Sequence, residues 1–193
     1  MPLKSYRPLT PVLRYKTTNS FEQVTTDTPY KPLIVAKKKK CNGRNNRGVI
    51  TVRHRGGGSK KFLRIVDFRR DKLNIPGVVE TIEYDPNRSA FIALIKYMDG
   101  ERRYILATAN MKVDQKIIAG EEVEIAEGNC MKLKYIPLGT QVSNIEIREG
   151  KGGQICRSAG SYAEVVAKEN NMIQLKFPSN EVRSVRETCV ATI

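Results

Sequence analysis

The sequence predicts an all-β protein built from two small barrels in tandem and preceded by an extended basic arm. Short runs of β-branched and aromatic residues follow one another from Val49 onward. Gly, Asn and Asp stand between these runs at turn positions, and long stretches of helical periodicity are absent. The 193 residues, 40% of them hydrophobic, are sufficient for a buried core. No apolar run approaches the roughly 18 residues needed to span a membrane.

The arm is predicted to comprise residues 1–48. Five of the nine prolines fall within the first 32 residues, and because proline fixes φ and lacks an N–H donor, we expect an extended chain here. The same prolines and the lack of an apolar leader argue against a secretory signal or an amphipathic transit helix. Four scattered cysteines without a CxxC pair indicate a reducing, intracellular setting and no metal site: Cys41, Cys130, Cys156 and Cys189.

The first barrel is predicted to span residues 49–126 and to be of the oligonucleotide-binding type. Asp85-Pro86-Asn87-Arg88 has the composition of a turn, and Asp99-Gly100 predicts the centre of a hairpin. The predicted strands are, in order, Val49–Val52, Phe62–Phe68, Val78–Tyr84, Phe91–Tyr97, Arg103–Leu106 and Glu121–Ala126.

The second barrel is predicted to span residues 127–193 and to be SH3-like, because it opens with a linker-like stretch and then holds four or five short strands. Asn170 and Asn171 tolerate positive φ and predict a hairpin turn. The predicted strands are Thr140–Arg148, Tyr162–Lys168, Met172–Phe177 and Glu181–Val185.

The positive charge is concentrated in the first third of the chain. The protein carries +14 overall, yet residues 1–70 hold 18 Lys and Arg against 3 Asp and Glu, whereas residues 71–193 carry a net charge of −1. A charge added for solubility alone would be spread over the chain. Such concentration indicates a polyanionic partner, with nucleic acid as the leading candidate and an anionic membrane surface as the alternative.

The candidate RNA-binding residues are basic side chains and the glycines interleaved with them. Glycine amides can donate to phosphate oxygens and allow a sugar–phosphate backbone to approach closely. Aromatic residues are scarce near this charge, which favours recognition of folded, largely duplex RNA over stacking on single strands. The candidates are Lys37, Lys38, Lys39, Lys40, Arg44, Arg47, Arg53, His54, Arg55, Gly56, Gly57, Gly58, Lys60, Lys61, Arg69, Arg70, Arg102, Lys151, Arg157 and Ser158.

No catalytic constellation is predicted. His54 is the only histidine and lies between two arginines, where we expect it to contact a phosphate or to stack. The Gly150–Gly153 turn lacks the spacing of a Walker phosphate loop, and Glu121, Glu122 and Glu124 alternate as a hydrated strand face. We therefore expect no enzyme activity, no cofactor, no metal and no small-molecule substrate.

Several strings closely resemble the family of large-subunit ribosomal protein two in its bacterial or organellar form. They are RGGGSKKFLRIVDFRR at Arg55–Arg70, ETIEYDPNRSAFIALIKYMDGERRYILA at Glu80–Ala107, the segment Gly128–Thr140, EGKGGQICRSAGS at Glu149–Ser161, and EVRSVRETCVATI at Glu181–Ile193. One departure is Ser59, which stands where the family usually has a histidine. In the family a long basic extension follows the ATI motif and carries a histidine associated with the catalytic centre, and we expect it to be absent here.

The resemblance implies an oligonucleotide-binding barrel followed by an SH3-like barrel, with extensions that penetrate ribosomal RNA. It implies binding to large-subunit rRNA, support of subunit association and assembly of the peptidyl transferase centre. Neighbouring ribosomal proteins and the small subunit are the implied further partners, in a bacterial cytoplasmic ribosome or, alternatively, an organellar one. Arg88, in the DPNRSA turn, and Arg157, in the RSAG turn, are the implied RNA contacts.

The resulting hypothesis is a structural rRNA-binding protein of the large ribosomal subunit. A rival hypothesis is a translation or RNA-metabolism factor that uses the same two barrels transiently. A factor of that kind must leave its RNA, so it is expected to dissociate at moderate salt. A less favoured rival is an RNA hydrolase that depends on His54.

Overall fold

Strands dominate the computed structural model, which describes residues 3–36 and 41–193. One short α-helix and two 3-10 turns are the helical elements of these ranges, so the predicted all-β class is confirmed. Within the same ranges, no helix combines the length and the apolar character needed to cross a bilayer.

The N-terminal segment is more structured than the predicted extended arm. Its second half docks on the first barrel: Thr25 N donates to Ile82 O at 2.9 Å, and Tyr30 N donates to the Tyr104 hydroxyl at 2.7 Å. Its elements are β1 (Leu3–Ser5), α1 (Pro11–Tyr15), β2 (Thr17–Asn19), the 3-10 turn Lys31–Leu33 and β3 (Ile34–Ala36).

The first barrel is centred on an antiparallel sheet in the order β7-β6-β5-β8. A register shift between Val79 and Thr81 curls β5, and the predicted Asp99-Gly100 turn joins β6 to β7 with Gly100 at φ +85°. Separately, β4 pairs with β3 of the arm. The strands are β4 (Phe62–Arg64), β5 (Gly77–Glu83), β6 (Ile92–Tyr97), β7 (Arg102–Leu106) and β8 (Lys116–Ile117).

The second barrel contains an antiparallel sheet in the order β10-β13-β14-β15 and two two-stranded sheets, β11-β12 and β16-β9. Asn170 and Asn171 have positive φ in the β13–β14 turn, as the sequence predicts. A 3-10 turn, Leu133–Tyr135, follows β9. The strands are β9 (Cys130–Lys132), β10 (Gln141–Val142), β11 (Ile145–Glu146), β12 (Gly153–Ile155), β13 (Ala163–Glu169), β14 (Met172–Lys176), β15 (Val182–Arg186) and β16 (Val190–Thr192).

Each barrel has its own apolar core. Val79, Ile95 and Ile105 are buried inside the first sheet, and Leu133, Val165 and Leu175 are buried inside the second. Burial at alternate positions gives β13 and β14 one apolar face. The first sheet is buried on both faces, because Ile92, Leu94 and Tyr104 form a second cluster that packs against Tyr30 and Leu33 of the N-terminal segment.

Two predicted strands are wrong. Val49–Val52 folds back on Gly43, whose carbonyl accepts the amides of Thr51 and Val52, so these residues form a loop with one bridge between Arg44 and Ile50. Glu121–Ala126 is also irregular, because the Asn129 side chain donates to Glu124 O at 3.0 Å and holds a local turn. The fourth place in the first sheet belongs to β8.

Two further predicted strands are shorter or divided. Phe62–Phe68 is a strand only as far as Arg64, and Val66 makes a separate bridge to Tyr104. Thr140–Arg148 is divided into β10 and β11 at Asn144, which has φ +48°. The chain turns at Asn144 because the amide of this residue donates to Cys156 O at 2.9 Å and leaves the sheet register.

Candidate nucleic-acid interface

Phe68 lies where the two barrels meet, and it brings together the two arginines of the turn motifs. The guanidinium carbon of Arg88 lies 5.4 Å from the centre of the Phe68 ring, and that of Arg157 lies 4.7 Å from it. Arg88 comes from the first barrel and Arg157 from the second. We call these three residues the Phe68 junction. Both guanidinium groups are attracted to the π-face of the Phe68 ring.

The loop that presents Phe68 is held by Asp67. One carboxylate oxygen of Asp67 accepts the amides of Arg69 and Arg70 at 3.0 and 2.9 Å, and the other accepts Arg103 Nη1 at 3.0 Å. An aspartate that accepts amides two and three residues ahead forms a compact turn. Phe68 therefore projects from a fixed loop.

The first barrel positions Arg88 through the turn that starts at Asp85. The Asp85 carboxylate is fully buried; it accepts Arg88 Nε at 2.6 Å, and Asn87 N and Nδ2 at 2.9 and 2.8 Å. Burial alone raises the pKa of the Asp85 carboxyl, but these hydrogen bonds outweigh it and the pKa lies below its ordinary value. Arg88 thus faces a charged carboxylate at neutral pH.

The second barrel positions Arg157 in a tight turn. Cys156 has φ +54°, and Ser161 N and Oγ both donate to Ser158 O, at 3.1 and 2.6 Å. The turn also touches the first barrel, since Ala159 N donates to Ser89 Oγ at 3.2 Å. Arg157 itself is exposed and has no carboxylate partner among the described residues, which leaves its charge available to an anion.

The Gly150–Gly153 turn of the second barrel packs against the Phe68 junction. Gly153 N donates to Phe68 O at 2.8 Å, and a Cβ on Gly152 would lie 3.1 Å from the same carbonyl. The buried Glu146 carboxylate fixes this turn by accepting Gly152 N at 2.8 Å and Val190 N at 3.2 Å. Lys151, at the tip of the turn, is exposed to solvent.

The largest group of predicted contacts lies in the segment 41–61, which we call the basic loop. It is almost entirely exposed, and none of its cations has a carboxylate partner within the described ranges. His54, Gly56, Gly57 and Gly58 have positive φ, so the chain turns repeatedly and presents its amides. The predicted residues of the basic loop are Arg44, Arg47, Arg53, His54, Arg55, Gly56, Gly57, Gly58, Lys60 and Lys61.

Three other groups of predicted residues differ from the basic loop. Arg70 is buried and donates through Nη2 to Gly128 O at 3.3 Å, so it links the barrels from inside, while Arg69 beside it is exposed. Arg102 donates to the Glu80 carboxylate at 2.6 and 3.1 Å and lies 5.4 Å from the Tyr30 ring. The four lysines Lys37, Lys38, Lys39 and Lys40 lie outside the described residues.

Sequence reasoning missed Phe68, Asp85 and Glu146 as parts of this interface. In the sequence, Phe68 has the spacing of a core strand residue. Only its place in the structure, between two arginines from distant motifs, distinguishes it from a core residue. Asp85 carried a local signal, because aspartate three residues before an arginine in a turn is placed to accept from it. Glu146 carried none, since its two donors come from Gly152 and Val190.

Two joined β-barrels with a converging pair of arginines and a long basic loop are the features of an RNA-binding protein. Two family comparisons specify which one. Residues 30–119 match the family described as Ribosomal Proteins L2, RNA binding N-terminal domain, and residues 126–193 match Ribosomal Proteins L2, C-terminal domain. The chain belongs to the ribosomal protein L2 family, and it is a ribosomal protein that binds rRNA. Its barrels are of the oligonucleotide-binding and SH3-like types, as the sequence predicts.

Proposed function

We propose that this protein is a permanent structural component of the large ribosomal subunit and uses the Phe68 junction and the basic loop as its rRNA contacts. The observation that carries the proposal is the convergence of Arg88 and Arg157 on one ring from two barrels. A ligand held at both arginines also fixes the barrels relative to each other. The unpaired cations of the basic loop supply the sequence-independent attraction to phosphate.

The individual contacts divide by their surroundings. Exposed, unpaired cations such as Lys60, Lys151 and Arg157 suit phosphate oxygens, and Ser158 and the amides of Gly56, Gly57 and Gly58 can add neutral donors. The lysine run 37–40 directly precedes the basic loop in the sequence and adds four positive charges. RNA would have to compete with Glu80 for Arg102, and Arg70 is buried and joins the two barrels. Both residues are therefore weaker candidates for direct contact with RNA.

We further propose that these contacts serve assembly of the large subunit and its association with the small subunit. By holding rRNA segments at two fixed barrels, it supports folding of the peptidyl transferase centre, and it helps the large subunit to meet the small subunit. Neighbouring ribosomal proteins complete its surroundings in a bacterial ribosome, with an organellar ribosome as the alternative. Its role is structural, without an enzymatic step of its own.

The test is sedimentation of the tagged protein from its native cell through sucrose gradients at low and high salt. We expect it to migrate with the large subunit at a salt concentration that removes loosely bound factors. Appearance in the top fractions at that salt would favour the transient factor instead. An Arg88→Gln/Arg157→Gln variant shows whether retention depends on the Phe68 junction. Its matched control, Lys132→Gln/Arg183→Gln, removes the same charge from outside the junction, at cations paired with Glu121 and Glu181.

The role in subunit association has a separate test. Large subunits assembled without the protein and with it are mixed with small subunits, and joined ribosomes are measured by light scattering. We expect joining to fall without the protein and to recover when the wild-type chain is present during assembly. Equal joining in both preparations would exclude this role while leaving rRNA binding intact.

A further inference from the structure

We propose that Asp85 is a positioning residue that makes Arg88 a reader of a guanine base edge, whereas Arg157 on the same ring binds phosphate. The inference rests on the proposed function, in which the Phe68 junction contacts rRNA. It starts from an asymmetry: both guanidinium groups lie over Phe68, yet Arg88 has a carboxylate partner and Arg157 has none within the described residues.

The geometry leaves one part of Arg88 free. Its Nε is taken by Asp85 at 2.6 Å, its guanidinium lies over Phe68, and its side chain is 18% exposed. In the described parts of the chain, neither terminal nitrogen of Arg88 donates to a protein acceptor. The guanidinium is therefore held at one end and offers a fixed pair of donors at the other. A fixed fork matches two acceptor atoms lying side by side.

The charge of Asp85 changes what Arg88 can contribute. A buried carboxylate in contact with Arg88 cancels its charge, so the pair releases few counterions when RNA binds. What remains is directional hydrogen bonding. The Hoogsteen edge of guanine offers O6 and N7 as paired acceptors, the usual target of a bidentate arginine. In RNA this edge is accessible in loops, bulges and ends, because the major groove of an A-form helix is too narrow for side chains.

Arg157 has the opposite surroundings. Its nearest hydrogen-bond partner is the carbonyl of Gly153 at 3.5 Å, and it is exposed. A cation without a carboxylate keeps its full attraction for phosphate and is free to adjust its position. The two arginines therefore have different roles. Arg157 supplies salt-dependent affinity for phosphate, and Arg88 discriminates between bases.

The experiment measures binding of the full chain to large-subunit rRNA transcribed with guanosine or with 7-deazaguanosine. The deaza base lacks the N7 acceptor but keeps its Watson–Crick edge and its phosphate. We expect the wild-type protein to bind the deaza transcript about tenfold more weakly, as for loss of one hydrogen bond to a charged donor. Asp85→Asn should lose most of this discrimination, and its salt slope should become steeper by up to about one, because Arg88 is no longer neutralised by a carboxylate.

Three further variants separate positioning from folding. Arg88→Lys keeps the charge but removes the pair of donors, so it should abolish the discrimination. This variant provides the test if thermal melting shows that Asp85→Asn is unfolded. Arg157→Gln should lower the salt slope by about one while keeping the discrimination. Glu80→Gln removes the carboxylate partner of another arginine, Arg102, and should leave the discrimination unchanged.

The proposal is overturned if the wild type and Arg88→Lys distinguish the two transcripts equally, because the deaza effect would then arise from RNA folding. It is also overturned if a folded Asp85→Asn keeps the full discrimination. Failure of the wild-type protein to bind either transcript is a different result: it would overturn the proposed function itself.

Discussion

At the scale of single residues, Phe68 is the most consequential side chain, because two guanidinium groups share its ring. Each cation–π contact is worth about 0.5–1 kcal/mol at an exposed site. Phe68→Leu keeps the apolar character and removes both contacts. The barrels should stay folded, since Phe68 is only half-buried.

We predict that Phe68→Leu weakens rRNA binding by up to about 1–2 kcal/mol, because the two contacts no longer hold the arginines in their binding positions. The measurement is filter binding at constant salt. Phe62→Leu is the matched control: among the described residues, one cation, Lys60, lies over the Phe62 ring, at 5.3 Å, so the effect of this change should be about half as large. Equal effects of the two changes would show that Phe68 has no special role.

Glu83 gives the protein a pH dependence of unusual sign. Its carboxylate is buried and accepts the Tyr104 hydroxyl at 2.7 Å, while the Tyr104 hydroxyl accepts Tyr30 N. Burial raises the pKa of Glu83 above the ordinary value of 4.5. The native state therefore holds a proton that the unfolded state releases. Stability from this group is full below pH 4.5 and is lost as the pH rises through the raised pKa.

We predict that Glu83→Gln stabilises the protein relative to the wild type progressively as the pH rises above 4.5. Glutamine keeps an acceptor for Tyr104 without the buried charge. Urea unfolding from pH 2.5 to pH 7.5 measures the difference. Glu80→Gln is a control of opposite sign: the hydrogen bond from Arg102 lowers the pKa of Glu80, so the wild type should lose its advantage as the pH falls below 4.5. A difference independent of pH would contradict the assignment for Glu83.

At the scale of elements, the basic loop contrasts with the strands around it. It exposes Val49, Ile50 and Val52 together with its cations, an arrangement that suits burial against a large partner. Cys41, at its start, is exposed, whereas Cys130 and Cys189 are buried. Burial raises the pKa of Cys189 to about 11, which leaves its thiol largely protonated and unreactive.

We predict that rRNA protects Cys41 from alkylation. In the free protein, maleimide should modify Cys41 rapidly and leave Cys130 and Cys189 unmodified until the protein unfolds. Saturating rRNA should slow the reaction at Cys41 about tenfold or more, because the thiol can then react only when the bound loop opens. Mass spectrometry of modified peptides measures each site, and the buried thiols serve as internal controls. Unchanged reactivity at Cys41 would place the basic loop outside the RNA interface.

At the scale of the whole molecule, the distribution of charge decides the salt dependence of binding. Residues 1–70 carry all of the excess positive charge. In the described part of the second barrel, by contrast, several cations are paired with carboxylates, among them Lys132 with Glu121 and Arg183 with Glu181. Only unpaired cations should neutralise phosphates and release counterions.

We predict that changing the four lysines 37–40 to glutamine lowers the slope of log K against log salt by about 3, because each phosphate that is no longer neutralised reduces the slope by about 0.7–0.9. The control changes four ion-paired cations to glutamine: Lys72, Lys132, Lys134 and Arg183. It should alter the slope far less, although the change in net charge is the same. Equal slopes for the two variants would mean that net charge alone governs binding.

Residues that are close together in the sequence determine many of the turns and strands of this protein. The hairpin turns at Asp99-Gly100 and Asn170-Asn171 and the strands β5, β6, β7, β13, β14 and β15 follow from β propensity and turn residues close in sequence. The concentration of charge before residue 70 likewise needs no coordinates. Five ordered motifs, two of which contain Arg88 and Arg157, were enough to indicate the ribosomal family.

Tertiary structure decided where these pieces meet. Val49–Val52 and Glu121–Ala126 have the composition of strands, but hydrogen bonds from Thr51, Val52 and Asn129 to nearby carbonyls turn both into loops. Phe68, at the end of the predicted strand Phe62–Phe68, is the ring shared by two arginines from distant turns of the chain. Sequence pattern records the periodicity of one strand, whereas packing of one barrel against another depends on contacts between residues that are distant along the chain.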